Sequence, residues 1–350
     1  MLAKNLACLP LQYPMKLLPW LFLCALTGLI AQDNPSTRKV GSYPLTADSL
    51  PQSGVPKGQL LGPYEWHSRI IRGTVRRYWV YVPAQYNPEK PAGLLVFQDG
   101  QRALNPKGSL RVDQVMENLI HKKQMPVCIG LFITPGNLSE HYPEGLGMSN
   151  PDNRAQEYDV LSDDYARMLK DELIPELKKT YAITDDLERR VIGGTSSGAI
   201  CAWTVAWERP DQFRKVISLI GSYTSIGYRP ARGNQPMLPG GDLYPTLIRK
   251  SPIKPIRVFL QDGTNDLSNS VPNGVTPDAW SLSNEHGSWH LANLQMLSAL
   301  EYANRVADQR KQAGPRYDVA HAWGDGWHSD EHGGSILPDI LRWMFRDVEP

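Results

Sequence analysis

The chain has 350 residues, 41% hydrophobic and 21% charged, with 37 Lys and Arg against 36 Asp and Glu and a formal net charge of +1. That balance excludes a disordered chain, a basic nucleic-acid binder and an acidic solvating tail, and a chain of this length buries a large core. No period of tens of residues marks a repeat array.

In chain order, Met15-Lys16 leads an apolar run from Leu17 to Ile30, followed by Ala31-Gln32-Asp33. A positive start, a short apolar core and a small residue describe a secretory signal peptide over residues 1–31, with Met15 as an alternative start. The expected location is secreted or periplasmic. No stable membrane insertion is expected after cleavage, because the run is short for a span. Phe22-Leu23 are too bulky for Cys24 to read as a lipoprotein anchor. Cys8 and Cys24 fall in this segment, whereas Cys128 and Cys201 fall in apolar elements and read as buried thiols.

Residues 32–62 are dense in Pro, Gly, Ser and Asn and predict an extended, partly disordered lead-in. The remainder, 63–350, reads as one domain. Residues 67–72 and 75–82 alternate around Gly73, which predicts a hairpin. Residues 93–97 and 127–133 are continuous apolar runs, as in buried parallel strands. Helical spacing spans 112–122 and 163–181, the latter with Tyr165, Met168, Leu169, Leu173, Ile174 and Leu177 on one side. Further strands are expected at 190–193, 216–220, 257–260 and 317–322, and helices at 199–207, 290–313 and about 336–346. Residues 227–255, rich in Gly and Pro, predict a surface excursion near the site. Strands alternating with helices give an α/β class: a mostly parallel central sheet with helices on both faces.

Residues 193–198 read Gly-Gly-Thr-Ser-Ser-Gly between a strand-like and a helix-like segment. A serine hydroxyl attacks only when a base removes its proton. It therefore needs a sharp, exposed turn, which glycines two before and two after permit. Ser196 is the candidate nucleophile. Acid and base candidates follow in the order Ser, Asp, His, which an α/β-hydrolase fold requires.

After the strand at 257–260 come two competing carboxylates. Asp262 leaves the strand directly and could serve as a turn residue before Gly263. Asp266 reaches further towards a histidine loop and is preferred. After the strand at 317–322 comes Trp323-Gly-Asp-Gly-Trp-His328, a glycine-bracketed loop that carries the base candidate His328 over the sheet. His321 reads as packed within its strand, His332 as orienting the loop, and His286 and His290 as surface or pocket residues. The oxyanion donors are expected at the Ser197 N–H and at Gly100 or Gln101. His328-Ser-Asp-Glu331-His332 also spells an inverted zinc-protease pattern. Gly333, Gly334 and Pro338 argue against the helix that pattern needs, so neither a metal nor a cofactor is expected. Trp280, Trp289, Trp323 and Trp327 are candidates for a sugar or phenolic platform, set against plain core packing.

The elbow Gly193 to Ala202, the run Arg209-Pro-Asp-Gln-Phe-Arg-Lys-Val and the segment Val258 to Asp266 resemble the esterases related to enterochelin esterase and esterase D. So do Asn293-Leu-Gln-Met-Leu-Ser-Ala-Leu and His328-Ser-Asp-Glu-His-Gly-Gly-Ser-Ile-Leu-Pro-Asp. The same superfamily holds feruloyl and acetylxylan esterases and mycolyltransferases. The resemblance covers about residues 60–347 and implies Ser196 as nucleophile, Asp266 as acid and His328 as base. It also implies that Asn153-Arg154 and Glu157-Tyr158 shape a substrate site. Trp327 departs from the small residue relatives carry there. The expectation is an exported serine carboxylesterase acting on acylated carbohydrate, such as a polysaccharide-linked ester, or another small-molecule ester. Three alternatives stay open: a siderophore esterase, an acyltransferase and a non-catalytic carbohydrate-binding member.

Overall fold

Two hairpin strands, β1 (Gln59–His67) and β2 (Val75–Val82), open an eight-stranded sheet in a computed structural model that describes residues 41–144, 153–267 and 285–350. The other strands are β3 (Gly93–Gln98), β4 (Cys128–Ile133), β5 (Arg190–Thr195), β6 (Lys215–Leu219), β7 (Arg257–Gly263) and β8 (Asp318–Gly324). Their spatial order is β1-β2-β4-β3-β5-β6-β7-β8. The β1–β2 and β2–β4 pairs are antiparallel and all others parallel. This is the α/β-hydrolase arrangement expected from the sequence.

The central strands are apolar on both faces because helices cover both. Leu94 and Val96 face one core with Ile129, Ile192 and Val216, beneath helices at residues 164–178, Ser197–Glu208, Tyr244–Lys250 and Trp289–Gln309. Leu95 and Phe97 face the other with Phe132 and Ile217, beneath Val112–His121 and Glu331–Phe345. Such alternation is the period of two that a pleated strand imposes. The helix Ser197–Glu208 is buried along its whole length up to Trp207, which explains why it is apolar on every side.

Three elements differ from the sequence reading. The first hairpin strand lies at Gln59–His67 rather than 67–72, so the connection carries Gly73 at φ +77° in a longer turn. The helix over 163–181 contains a π turn, Leu169–Leu173, and ends at Lys178. The described residues of the lead-in are tied to the rest of the domain. The Asn118 amide donates to the Asp48 and Leu50 carbonyls at 2.8 and 2.9 Å, and the Asp48 carboxylate pairs with Lys122 and Arg342. The described residues fall in one compact unit. The signal-like segment 1–31 lies outside the described residues, among which no helix is long and apolar enough to cross a membrane.

Candidate active site

Strand β5 ends at Thr195 and the helix Ser197–Glu208 begins two residues later, which leaves Ser196 at the junction with φ 59° and ψ −122°. An L-residue adopts this conformation only where its surroundings enforce it. Here the enforcement is close packing. A Cβ at Gly194 would lie 2.4 Å from the carbonyl carbon and oxygen of Gly198, so only glycine lets strand and helix approach this closely. The Ser196 N–H donates to the Leu219 carbonyl at 2.9 Å, which ties the turn to β6.

Ser196 Oγ stands 2.9 Å from His328 Nε2, and His328 Nδ1 stands 2.6 Å from Asp266 Oδ1. An ionised Asp266 can only accept, so Nδ1 carries the proton and Nε2 is left to accept from the serine hydroxyl. Asp266 follows β7 and His328 follows β8, and both strands run parallel to β5 with β6 between. All three loops therefore emerge at the same end of the sheet. Asp266 is 1% exposed and Ser196 9%. Burial pushes the Asp266 carboxyl up to about 6 and the His328 imidazole down to about 4. Groups in such contact take up protons as a pair.

Of the two competing carboxylates, Asp266 is the one that meets His328. Asp262 lies behind it, fully buried, and accepts from the Gly263 N–H and from Asn293 Nδ2, both at 2.7 Å.

The expected oxyanion donors follow the neighbouring parallel strands β5 and β3. Ser197 opens its helix, where the first N–H groups have no intrahelical acceptor. Gly100 and Gln101 open the short helix Gly100–Ala103, after Asp99 at φ 53°. A Cβ on Gly100 would lie 2.7 Å from the Phe132 carbonyl carbon, so glycine lets this turn rest on β4.

The expected substrate-contacting residues are spread more widely. Arg154 grips Asp99 with both arms, Nε to Oδ1 at 3.0 Å and Nη2 to Oδ2 at 2.7 Å, and so anchors the loop after β3. Glu157 turns inward. It accepts from Arg76 Nη1 and Nη2 at 2.7 and 3.0 Å, from the Gly136 N–H at 3.0 Å and from Asn153 Nδ2 at 2.8 Å. With both oxygens engaged inside the protein, Glu157 braces the wall of the site instead of presenting a carboxylate to a ligand. Trp289 is 1% exposed, donates from Nε1 to Ser222 Oγ at 3.0 Å and packs edge-on against the His328 ring at 5.5 Å. It buttresses the base and offers no open face. Trp327 is 39% exposed, with Nε1 against Gly41. Trp280 lies outside the described residues.

The His-x-x-Glu-His residues have separate partners. His328 faces Ser196, Glu331 is exposed, and His332 Nδ1 meets Gln261 Nε2 at 2.9 Å while its ring stacks on Tyr43. Contrary to expectation, a helix does run through Gly333, Gly334 and Pro338. The glycines lie where side chains would collide, Gly334 against the Ser109 carbonyl and Gly333 against Leu219.

Sequence reasoning missed Ser222, whose Oγ lies 3.1 Å from Ser196 Oγ. The available signal was its place just beyond β6, at the end of the sheet that carries the turn. It also missed Tyr43, whose role depends on a contact 282 residues away.

The family described as "Putative esterase" matches residues 71–326. The iron(III) enterobactin esterase of Escherichia coli (strain K12) is 26% identical over 170 residues, 49% of this chain and 37% of that protein. The chain thus spans well under half the length of that relative. The crystal structure of the enterobactin esterase from Shigella flexneri superposes with a TM-score of 0.58 at 20% identity, covering 87% of this chain and 64% of that one. A ferulic acid esterase from Anaeromyces mucronatus superposes with a TM-score of 0.57 at 15% identity, covering 88% and 98%. These superpositions show the shared fold. The family match covers most of the chain, which therefore belongs to this esterase family.

Proposed function

We propose that this chain hydrolyses a carboxylic ester through Ser196, His328 and Asp266. The reading is carried by the continuous path from Ser196 Oγ through the imidazole to Asp266 Oδ1, at 2.9 and 2.6 Å. His328 Nε2 takes the Ser196 proton as Oγ attacks the carbonyl carbon, then delivers it to the alkoxide as the ester C–O bond breaks. Water, deprotonated by the same nitrogen, releases the acid from the acyl-enzyme and restores Ser196. Asp266 holds the tautomer and stabilises the imidazolium. The Ser197 N–H, with that of Gly100 or Gln101, stabilises the oxyanion by about 3 kcal/mol per donor.

The proposed substrate is an acyl ester of carbohydrate. A cavity of about 430 Å³ is lined by Tyr223, Thr224, Ser225, Asp242, Glu285 and His286 among others, and begins one residue beyond Ser222. Its hydroxyl and carboxylate groups suit sugar hydroxyls, and export, also proposed, would place the protein beside such a polymer. A second reading is a catechol siderophore ester, which the enterobactin esterases act on by name. It is favoured by a cavity of about 660 Å³ whose lining includes Gln156, Arg229, Arg232 and Gln235, where guanidinium groups suit an anionic ligand.

The test is hydrolysis of acetyl and butyryl nitrophenyl esters, methyl ferulate, acetylated xylan and enterobactin by the purified chain and by Ser196→Ala. Turnover should fall on the order of 10⁴-fold or more in the variant. Turnover that survives would sink the assignment, and the preferred ester decides between the two substrates. An acceptor alcohol that outcompetes water would make the protein an acyltransferase. Binding without turnover would make it a carbohydrate-binding member of the fold.

A further inference from the structure

Asp266 Oδ2 is buried and receives no hydrogen bond from any N–H or hydroxyl among the described residues. A carboxylate that orients a histidine and stabilises its cation is normally satisfied on both oxygens, so this orphan calls for a donor. The carboxyl group of Asp262 lies within hydrogen-bond reach of the Asp266 carboxyl group, and Oδ2 is the Asp266 oxygen left without a donor, because His328 Nδ1 and the Leu267 N–H both engage Oδ1. Two carboxylates in hydrogen-bond contact cannot both be ionised in a buried site, whereas one proton between them satisfies both.

The surroundings decide which carboxyl holds the proton. Asp266 is engaged by His328 Nδ1 at 2.6 Å and by the Leu267 N–H at 2.6 Å, both donors that favour the charged form. Asp262 accepts two neutral amide donors and, among the described residues, pairs with no Lys or Arg. The titratable groups acting on it are Asp266 from its own loop, His328 from the loop after β8 and His290 from the helix Trp289–Gln309. Burial and the neighbouring Asp266 charge push the Asp262 carboxyl well above the usual carboxylate range.

We propose that Asp262 is a neutral carboxylic acid at neutral pH, donates its proton to Asp266 Oδ2, and so acts as a positioning residue for the carboxylate that orients His328. Asn293 in turn fixes Asp262. Its amide nitrogen donates to Asp262 Oδ2 at 2.7 Å and also reaches the Gly221 and Trp289 carbonyls at 2.9 and 3.0 Å. The helix that carries Trp289 against His328 thus also holds the acid pair in place. The positioning role rests on the triad reading above, whereas the protonation state does not.

The first experiment needs no turnover. Infrared difference spectra at pH 7 compare Ser196→Ala with Ser196→Ala/Asp262→Asn. The expected result is a protonated-carboxyl C=O band that the second substitution removes. If no such band is lost, the proposal is overturned, whatever esters the protein cleaves.

The second experiment reads the role in the otherwise native chain. Asp262→Asn keeps a neutral donor towards Asp266 but sets its NH2 group against the Gly263 N–H or Asn293 Nδ2, so kcat/KM should fall while the acid limb of its pH profile stays where it is. Were Asp262 ionised, that substitution would remove a negative charge beside the imidazolium and shift the limb down by about one pH unit, overturning the proposal. Asp262→Leu leaves Asp266 Oδ2 without its donor and Asp266 more basic. It should lower kcat about tenfold at unchanged KM and move the acid limb upward. A native rate and native limb in this variant overturn the positioning role. Should Asp262→Leu not fold, the infrared and asparagine results still decide. A native chain that cleaves no ester, with the band present, overturns the esterase reading and leaves the Asp262 proton in place.

Discussion

The Tyr43 hydroxyl donates to Asp325 Oδ1 at 2.6 Å and accepts the Asp325 N–H at 2.8 Å, which ties the lead-in to the loop that carries His328. The same ring stacks on His332 with 4.1 Å between centroids, and the Asn265 amide donates to the Asp325 carbonyl at 2.8 Å. The loops bearing the acid and the base are therefore cross-linked to each other, and the base loop is strapped by Tyr43. Tyr43→Phe keeps the stacking and removes both hydroxyl bonds. It should lower kcat/KM severalfold through looser placement of His328 and cost about 1 kcal/mol of stability. Ester kinetics together with denaturant unfolding check this, and native kinetics would show that the strap is dispensable for the base.

The turn at Ser196 rests on two facing glycines. Gly194→Ala places a methyl group 2.4 Å from Gly198 backbone atoms, which cannot rotate away. The expected loss is about 3 kcal/mol of stability, with activity falling as the turn opens. The drop in unfolding midpoint measures it, and a fully active Gly194→Ala at native stability contradicts the close approach.

Arg76 and Glu157 form an ion pair with side chains 0% and 1% exposed. Glu157→Ala leaves a guanidinium buried without its partner, an effect of about 3–5 kcal/mol. Destabilisation is expected on that scale. KM for small nitrophenyl esters should change little in protein that remains folded, because Glu157 faces inward. A rise in KM without loss of stability would return Glu157 to the substrate surface.

The pH profile follows from the Asp266–His328 pair. The reaction needs an unprotonated Nε2, so activity is retained above the pair's range and lost as pH falls through it. Burial sets Asp266 at about 6 and His328 at about 4. The acid limb of kcat/KM should therefore have its midpoint between these values, below that of a free imidazole at about 6.5. A limb at or above 6.5 would mean that the charge of Asp266 outweighs burial at the imidazole.

The chain announced the parts of this site whose requirements are local. Gly194, Ser196 and Gly198 are spaced as a tight strand-to-helix turn demands, and the apolar runs around Leu94 and Ile129 read as strands covered on both faces. Glycines around Asp325 marked the histidine loop because a loop that must reach over the sheet needs backbone freedom. Three questions belonged to the tertiary structure. Whether Asp262 or Asp266 meets His328 depended on where β7 ends relative to β8. Glu157 met its partner across 81 residues and Tyr43 across 282, separations at which composition and spacing carry no information. Residues 41–58 belong to the segment 32–62, which reads as an extended, partly disordered lead-in because its composition offers little apolar area of its own. They are ordered by ion pairs and hydrogen bonds to Asn118, Lys122 and Arg342, contacts that exist only once the sheet has brought those helices together.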